Sequence, residues 1–389
     1  MIFIFNTLVY LIFALIMSAF AKKSYEMSDD SDGLDRYEWM FIAFFTLMCA
    51  FRWNTGVDSV AYTLRFIRGM PILEGNTEHI YNYITNFIAE HRIHFSVGLG
   101  ILAFGQIFPL VKALEKYRYI LVTLPFVLFG NCYFLTYMNG IRQMIVASMF
   151  VYACNYIIDK KIWKYLLFIL IGSLIHHSAY MLLPLYLLGY MGQWLDKVAD
   201  KRKILMITYV VCVVLGFTPS FQSVISYAEA FSEITGYTNY TDRVTEFLSG
   251  EYNKEVHNFG LMMMSYFLLG VFVIWYGPLL KEKYEDDIPC FNLWYSLAVA
   301  YGCLYFLICN VSHIFIRPVQ YLQPFQLIMV SLLLWELLKN VRLRNIAYIL
   351  IVVIWMECVW NLYKNQMPNS SSTYHFSWFY DLSRFYRIK

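Results

Sequence analysis

Four short stretches of the chain hold side chains able to grip an anion and move a proton. FRWNTGVDSVAY carries Arg52, Gly56, Asp58 and Tyr62, and YMNGIRQMIVAS carries Arg142 and Gln143. LIHHSAY carries His176 and His177, and NVSHIFIRPVQYLQP carries His313, Arg317 and Tyr321. A guanidinium group binds phosphate oxygens in pairs. Imidazole titrates near neutral pH, which suits proton transfer or a phosphate contact. A carboxylate such as Asp58 serves as a base if partial desolvation raises its basicity. Each residue also has an ordinary structural reading. Arg142 can snorkel to lipid headgroups, Arg52 can simply end its helix, and Asp58 can cap the helix beginning SVAYTLRFIR. Gly56 before it suits a turn with unusual dihedrals. One of the two histidines can be no more than a hydrogen-bonded interfacial residue, and Arg317 adjoins the helix-limiting Pro318.

The elements that must position these groups follow from hydropathy. Of 389 residues, 59% are hydrophobic and 15% charged, against about 25% charged in an ordinary soluble domain. Apolar runs of about 17–20 residues recur from end to end, each long enough to cross a hydrocarbon core. They lack the alternation of barrel strands, so they read as helices that satisfy their own backbone. The fold class expected is all-α, a polytopic membrane bundle forming a single integral membrane domain over 1–389. Twelve spans are read at about 2–20, 38–53, 95–112, 119–138, 141–158, 162–176, 178–195, 204–219, 259–277, 291–309, 320–338 and 345–361. The sixth and seventh run together through LLFILIGSLIHHSAYMLLPLYLL, which reads equally as a hairpin with a tight polar tip or a re-entrant pair.

Lysine and arginine bias sets the orientation. The connections AKKSYEMSDDSDGLDR, KALEKYR, DKKIWK, DKVADKRK, KEKYEDD and KNVRLR hold 18 of the 30 Lys and Arg residues, although they are short. That side is expected to be cytoplasmic. Both termini and the long loops, about 54–94, 220–258 and 362–389, then lie outside, as do all four stretches quoted above. The AFA sequence after the first run resembles a cleavage site. No basic residue precedes that run, however, and Lys22 and Lys23 follow it, so a retained helix is expected. Within the outer loops, Ile80, Ile84, Phe87 and Ile88 share one helical face, as do Val224, Tyr227, Phe231 and Ile234. TDRVTEFLSG reads as a short helix with Thr241 at its start and Gly250 past its end. Eight cysteines are scattered without metal-type spacing, so no disulfide framework, metal site or cofactor is expected. No nucleic-acid partner is expected either.

Several arginines near the outer surface of a bundle that otherwise avoids charge suit a phosphorylated or pyrophosphorylated lipid. Its tail partitions between helices while its head meets the guanidinium groups. The chemistry that uses such lipids beyond the cytoplasmic leaflet is glycan transfer.

The order of motifs resembles the EpsG family of exopolysaccharide proteins, grouped with Wzy-type polysaccharide polymerases. The resemblance rests on R-x-x-x-G-x-D with a following tyrosine (Arg52, Gly56, Asp58, Tyr62), on IRQMIVASMFVYA, on LIHHSAYMLLPLYLL and on RPVQYLQPF. It runs from about residue 50 to 330, with Val57 where the pattern often has threonine. It implies that Arg52, Asp58, Arg142, His176 and Arg317 line one extracytoplasmic cavity, in an architecture like that of the C-type glycosyltransferases. It also implies polymerisation of undecaprenyl-diphosphate-linked oligosaccharides into an exopolysaccharide, capsule or O-antigen chain at the bacterial inner membrane. A chain-length regulator and a flippase would be partners. On this reading Arg142 and Arg317, with Arg52, stabilise the leaving diphosphate, and Asp58 first or His176 second takes the acceptor proton. Gln143, Tyr62, His177 and Tyr321 complete the binding set. The alternatives are a lipid-linked glycan ligase, a membrane O-acyltransferase using the histidine pair, and a flippase for the same lipid. A flippase should show broken helices or ionisable residues at mid-membrane, whereas Glu336 and Glu357 sit toward the ends of the expected spans.

Overall fold

A computed structural model describes residues 2–27, 33–53, 55–69, 78–218, 259–310, 313–364 and 376. Among them every regular element is a helix: α1 (Ile2–Glu26), α2 (Arg36–Ala50), α3 (Ser59–Arg68), α4 (His79–Glu90), α5 (Phe95–Leu114), α6 (Arg118–Gly130), α7 (Tyr133–Asn139), α8 (Ile141–Ile158) and α9 (Ile162–Ile175). A 3-10 helix (His177–Tyr190), the short α10 (Gly192–Leu195) and a 3-10 turn (Ala199–Lys201) follow. The remainder is α11 (Arg202–Gly216), α12 (Leu261–Tyr284), α13 (Phe291–Ile308), α14 (His313–Gln320), α15 (Gln323–Lys339) and α16 (Arg344–Lys364).

Six of these are long and apolar enough to cross a membrane: most of α1, then α5, α8, α12, α13 and α16. The pair α6 and α7 makes a seventh if counted together, but it bends by 76° at the break. The expected twelve spans therefore reduce to six or seven by length and composition among the described residues. Helices α2, α9, α11 and α15 stop at 15, 14, 15 and 17 residues. The expected span 119–138 is interrupted because Cys132 takes a left-handed conformation (φ 51°) directly after Asn131.

The expected span 178–195 is not an α-helix. A 14-residue 3-10 helix returns along α9, with Pro184 inside it supplying no backbone N–H. The Tyr165 hydroxyl of α9 donates to the Leu182 carbonyl at 2.6 Å. At about 2.0 Å per residue the segment extends about 28 Å, more than the same residues would reach as an α-helix.

The helices pack side by side. α1 lies along α6 and α2, α2 along α5, α5 along α8, and α8 along α9. α6 also lies along α15, which meets α13, and α13 contacts α11 and α12. The continuous core is rich in aromatic rings, such as Tyr10 stacked on Phe129 with centroids 5.7 Å apart. A smaller cluster of Tyr62, Phe66, Tyr81, Ile88, Phe95, Leu99, Leu102, Ile141 and Ile145 seats α3 and α4 on α5 and α8.

One end of the bundle is fastened by ion pairs. Asp35 caps α2 in a capping box with Glu38, and the Ser24 hydroxyl donates to Asp35 at 2.7 Å. Arg118, at the head of α6, meets Glu38 at 3.2 Å, Asp35 at 3.9 Å and the Gly33 carbonyl at 3.1 Å. At the same end Glu336 pairs with Lys283 and accepts from the Tyr284 hydroxyl at 3.0 Å. A cavity of about 380 Å³ with largely apolar walls lies between α1, α6, α15 and α16 near Lys339.

Candidate functional site

At the opposite end, the four quoted stretches meet. The loop before α3 docks on the α7–α8 turn, since Asn139 Oδ1 lies 3.5 Å from the Asp58 backbone nitrogen. Gly56 makes this docking possible. Its φ is +92°, and a Cβ there would stand 2.5 Å from Asn139 Oδ1 and 3.1 Å from Met138 Cβ. Helix α4 comes over the top, packing on α3, α5 and α9. Its inward stripe is Tyr81, Thr85 and Ile88, while Phe87 is exposed and lies over His91. Of the expected face, Ile88 is buried, Ile84 packs on the same cluster and Ile80 is half-buried, so only Phe87 turns away from the bundle. The second expected face (Val224 to Ile234), the helix after Thr241 and the side chain of His313 lie outside the described residues.

Glu78, immediately ahead of α4, ties the site together. One carboxylate oxygen pairs with Arg142 Nη1, and the other stands 2.7 Å from His176 Nδ1 and 3.4 Å from the His177 backbone nitrogen. The Arg142 guanidinium also lies over the Tyr81 ring, 4.6 Å from its centroid. Burial comes first, and then the guanidinium groups of Arg142 and Arg317; together they push the His176 imidazole down to about 3. Glu78 holds Arg142 with its other oxygen. His176 is therefore neutral and donates through Nδ1 to Glu78, so Nε2 is the nitrogen left to accept a proton.

The remaining residues hold this group in place. The Gln143 side-chain amide donates to the backbone carbonyl of Arg317, fastening α14 to α8. Tyr321 is fully buried, and its hydroxyl meets Ser178 Oγ at 2.7 Å, fastening the 3-10 helix to the start of α15. Gln143 and Tyr321 are thus engaged by protein atoms, and Tyr62 is buried. Arg317 itself is exposed on α14, within electrostatic reach of His176. The ring of His177 packs edge-on to Tyr180.

Arg52 occupies a neighbouring position. It is 2% exposed, and its Nε and Nη2 have no hydrogen-bond partner among the described residues. It lies within electrostatic reach of Cys49, Tyr62 and Tyr10. Tyr62 meets Tyr81 edge-on, with centroids 6.2 Å apart, and Tyr81 carries Arg142 on its face. Two rings therefore connect Arg52 to the Glu78 group. Asp58 takes the cap position of α3, but its side chain makes no cap hydrogen bond. It is half-buried, with its backbone at the α7–α8 turn, and no hydrogen bond or ion pair joins it to His176 among the described residues.

These features define a helical membrane protein with a polar, cation-rich site at one end of its bundle. The chain belongs to the EpsG family, whose sequence model matches residues 36–377. Membership suggests a function of the exopolysaccharide-polymerase type. No curated protein and no solved structure matches the chain.

Proposed function

We propose that the protein is a polymerase that joins undecaprenyl-diphosphate-linked oligosaccharide repeats into an exopolysaccharide, capsule or O-antigen chain. The site would face the extracytoplasmic side of the bacterial inner membrane. The bundle would have twelve spans if the shorter helices are counted, both termini outside, and an architecture like that of the C-type glycosyltransferases. A flippase would deliver the substrate and a chain-length regulator would act with it.

The observation that carries this reading is the charge balance around Glu78. One carboxylate is set against Arg142 and Arg317, with the buried Arg52 close by. The buried Arg52 keeps Nε and Nη2, and Arg142 keeps Nε, without a hydrogen-bond partner among the described residues, and the oxygens of a diphosphate leaving group would supply acceptors for such donors. Arg142 and Arg317 would hold the diphosphate, and Arg52 would support it.

His176 is the better candidate base, ahead of Asp58. Glu78 fixes its tautomer much as a carboxylate orients the histidine of a triad. An imidazole held near 3 is a weak base in the empty site. A bound diphosphate offsets the guanidinium charges that hold it down, so its basicity rises when the donor arrives. Glu78 then stabilises the imidazolium as the acceptor hydroxyl attacks the anomeric carbon and diphosphate departs.

The test is elongation of purified lipid-linked repeat units by the purified protein. The wild type should produce a ladder of polymers. Arg142→Ala at unchanged membrane abundance should lose about 10²–10³ in rate, the usual effect of removing one donor to developing charge. No ladder from the wild type, with the lipid-linked units moved intact across a bilayer, would overturn the reading in favour of transport.

A further inference from the structure

Where α6 gives way to α7, two buried side chains hold polar atoms that make no well-formed hydrogen bond among the described residues. Asn131 is fully buried, and neither its Oδ1 nor its Nδ2 makes one. Glu357 is 2% exposed; the Tyr266 hydroxyl is within hydrogen-bonding reach of its carboxyl, while Oε2 makes no well-formed hydrogen bond. The two lie at matching depth, since α6 and α16 pack together. A Cβ on Gly130 would fall 2.6 Å from Ile354, one turn before Glu357. From Arg118 to Asn131 and from Arg344 to Glu357 the distance is about 20 Å of helix in each case. Helix α16 runs to Lys364, so Glu357 stands well inside it, deeper than the sequence boundaries suggest.

The surroundings supply no countercharge. Tyr133 on α7, Tyr266 on α12, and Tyr301 and Tyr305 on α13 lie within electrostatic reach of Glu357, as do Cys132 and Cys358. All are neutral at physiological pH. Tyr133 donates to Gln326 Oε1 at 2.6 Å, and its oxygen faces the Asn131 amide. Arg52 reaches Tyr10, which also faces Cys132 and Cys358, and so approaches this region only through that ring. An ionised carboxylate at hydrocarbon depth is costly unless a cation meets it. A helix that stops inside a bundle adds the partial negative charge of its last carbonyls. Broken spans of this kind bind sodium ions or protons in other membrane folds, and oxygen donors from Glu, Asn and Tyr suit a hard cation.

We propose that Glu357 and Asn131, at the break between α6 and α7, form a binding site for a monovalent cation, either a sodium ion or a proton. The site shares no residue with the Glu78 group and stands whether or not the polymerase reading holds. The full-length protein in lipid nanodiscs is the material for the test. Two measurements apply: binding of radioactive sodium, and infrared difference spectra for the carbonyl band of a protonated carboxyl group at neutral pH. Saturable sodium binding that Glu357→Gln abolishes and Asn131→Ala weakens by at least about tenfold would identify the ion as sodium. A protonated-carboxyl band that sodium does not remove and Glu357→Gln eliminates would identify it as a proton. If the Gln variant does not fold, Glu357→Asp takes its place and should shift the band or lower the sodium affinity. Wild-type protein that neither binds sodium nor shows a protonated carboxyl overturns the proposal, and so does a signal the Asp variant leaves unchanged.

Discussion

Arg118 and Arg142 head helices at opposite ends of the bundle, and their surroundings differ in the sign of the surplus. Arg118 meets two carboxylates and a backbone carbonyl, and both carboxylates also cap α2. Its charge is more than answered by the protein, and the result is a clasp between α1, α2 and α6. Arg142 shares the single carboxylate of Glu78 with His176, while Arg317 and the buried Arg52 add positive charge nearby. The first end closes the fold. The second gathers its cations at the ends of helices α8 and α14, around Glu78 and His176.

The largest expected effect tests the base. His176→Ala should lower the elongation rate by about 10²–10⁴, the range for losing a general base. Glu78→Gln should fall between that variant and the wild type, because the neutral amide still orients the ring without stabilising the imidazolium. Equal rates for His176→Ala and the wild type, with Asp58→Asn inactive, would return the role to Asp58.

Next in size is stability at the two ends. Arg118→Ala strands Glu38 and should cost up to about 3–5 kcal/mol, the range for breaking a buried pair. Its readouts are lower membrane abundance and lower melting temperature, with near-normal rate per surviving molecule. Arg142→Ala should show the reverse, with rate lost and abundance kept. If both variants lose abundance alike, the contrast between the ends fails.

The smallest effect is in pH. The folded pKa of His176, about 3, lies below its ordinary value of 6.5, so the unfolded chain binds more protons between the two. The stabilising contribution is complete above about 6.5 and is lost as pH falls toward 3. Melting temperature should therefore decline with acidification across that window, and His176→Asn should show a shallower decline. Added pyrophosphate should flatten the wild-type curve, because it offsets the charges that disfavour imidazolium.

Much of this was legible in the sequence because it is local. Arg52, Arg142, His176 and Arg317 each stand at the end of an apolar run, and lysine bias alone assigned all four connections to one end. Glu78 was not legible. It lies 98 residues from His176, in a loop where a carboxylate reads as solvated. The available signal was electrostatic: a loop expected to lie over several arginines needs a carboxylate in it. The break at Asn131 was hidden because hydropathy averages over a window, and the residues on either side are apolar enough to carry it. Glu357 was placed near a span end for a related reason, since the apolar run was closed at about residue 361, whereas the helix reaches Lys364. The 3-10 helix had its sign in Pro184, but an apolar run of that length looks the same in either helical form.

Gly56 gives the site a geometric constraint that no polar contact expresses. Because it carries no side chain, the strip of backbone holding Arg52 can rest directly on the corner that launches Arg142. Even a single methyl group would act as a shim between the two, because it would press on Asn139 and Met138. The spacing of the two corners is thus set by an atom the chain does without.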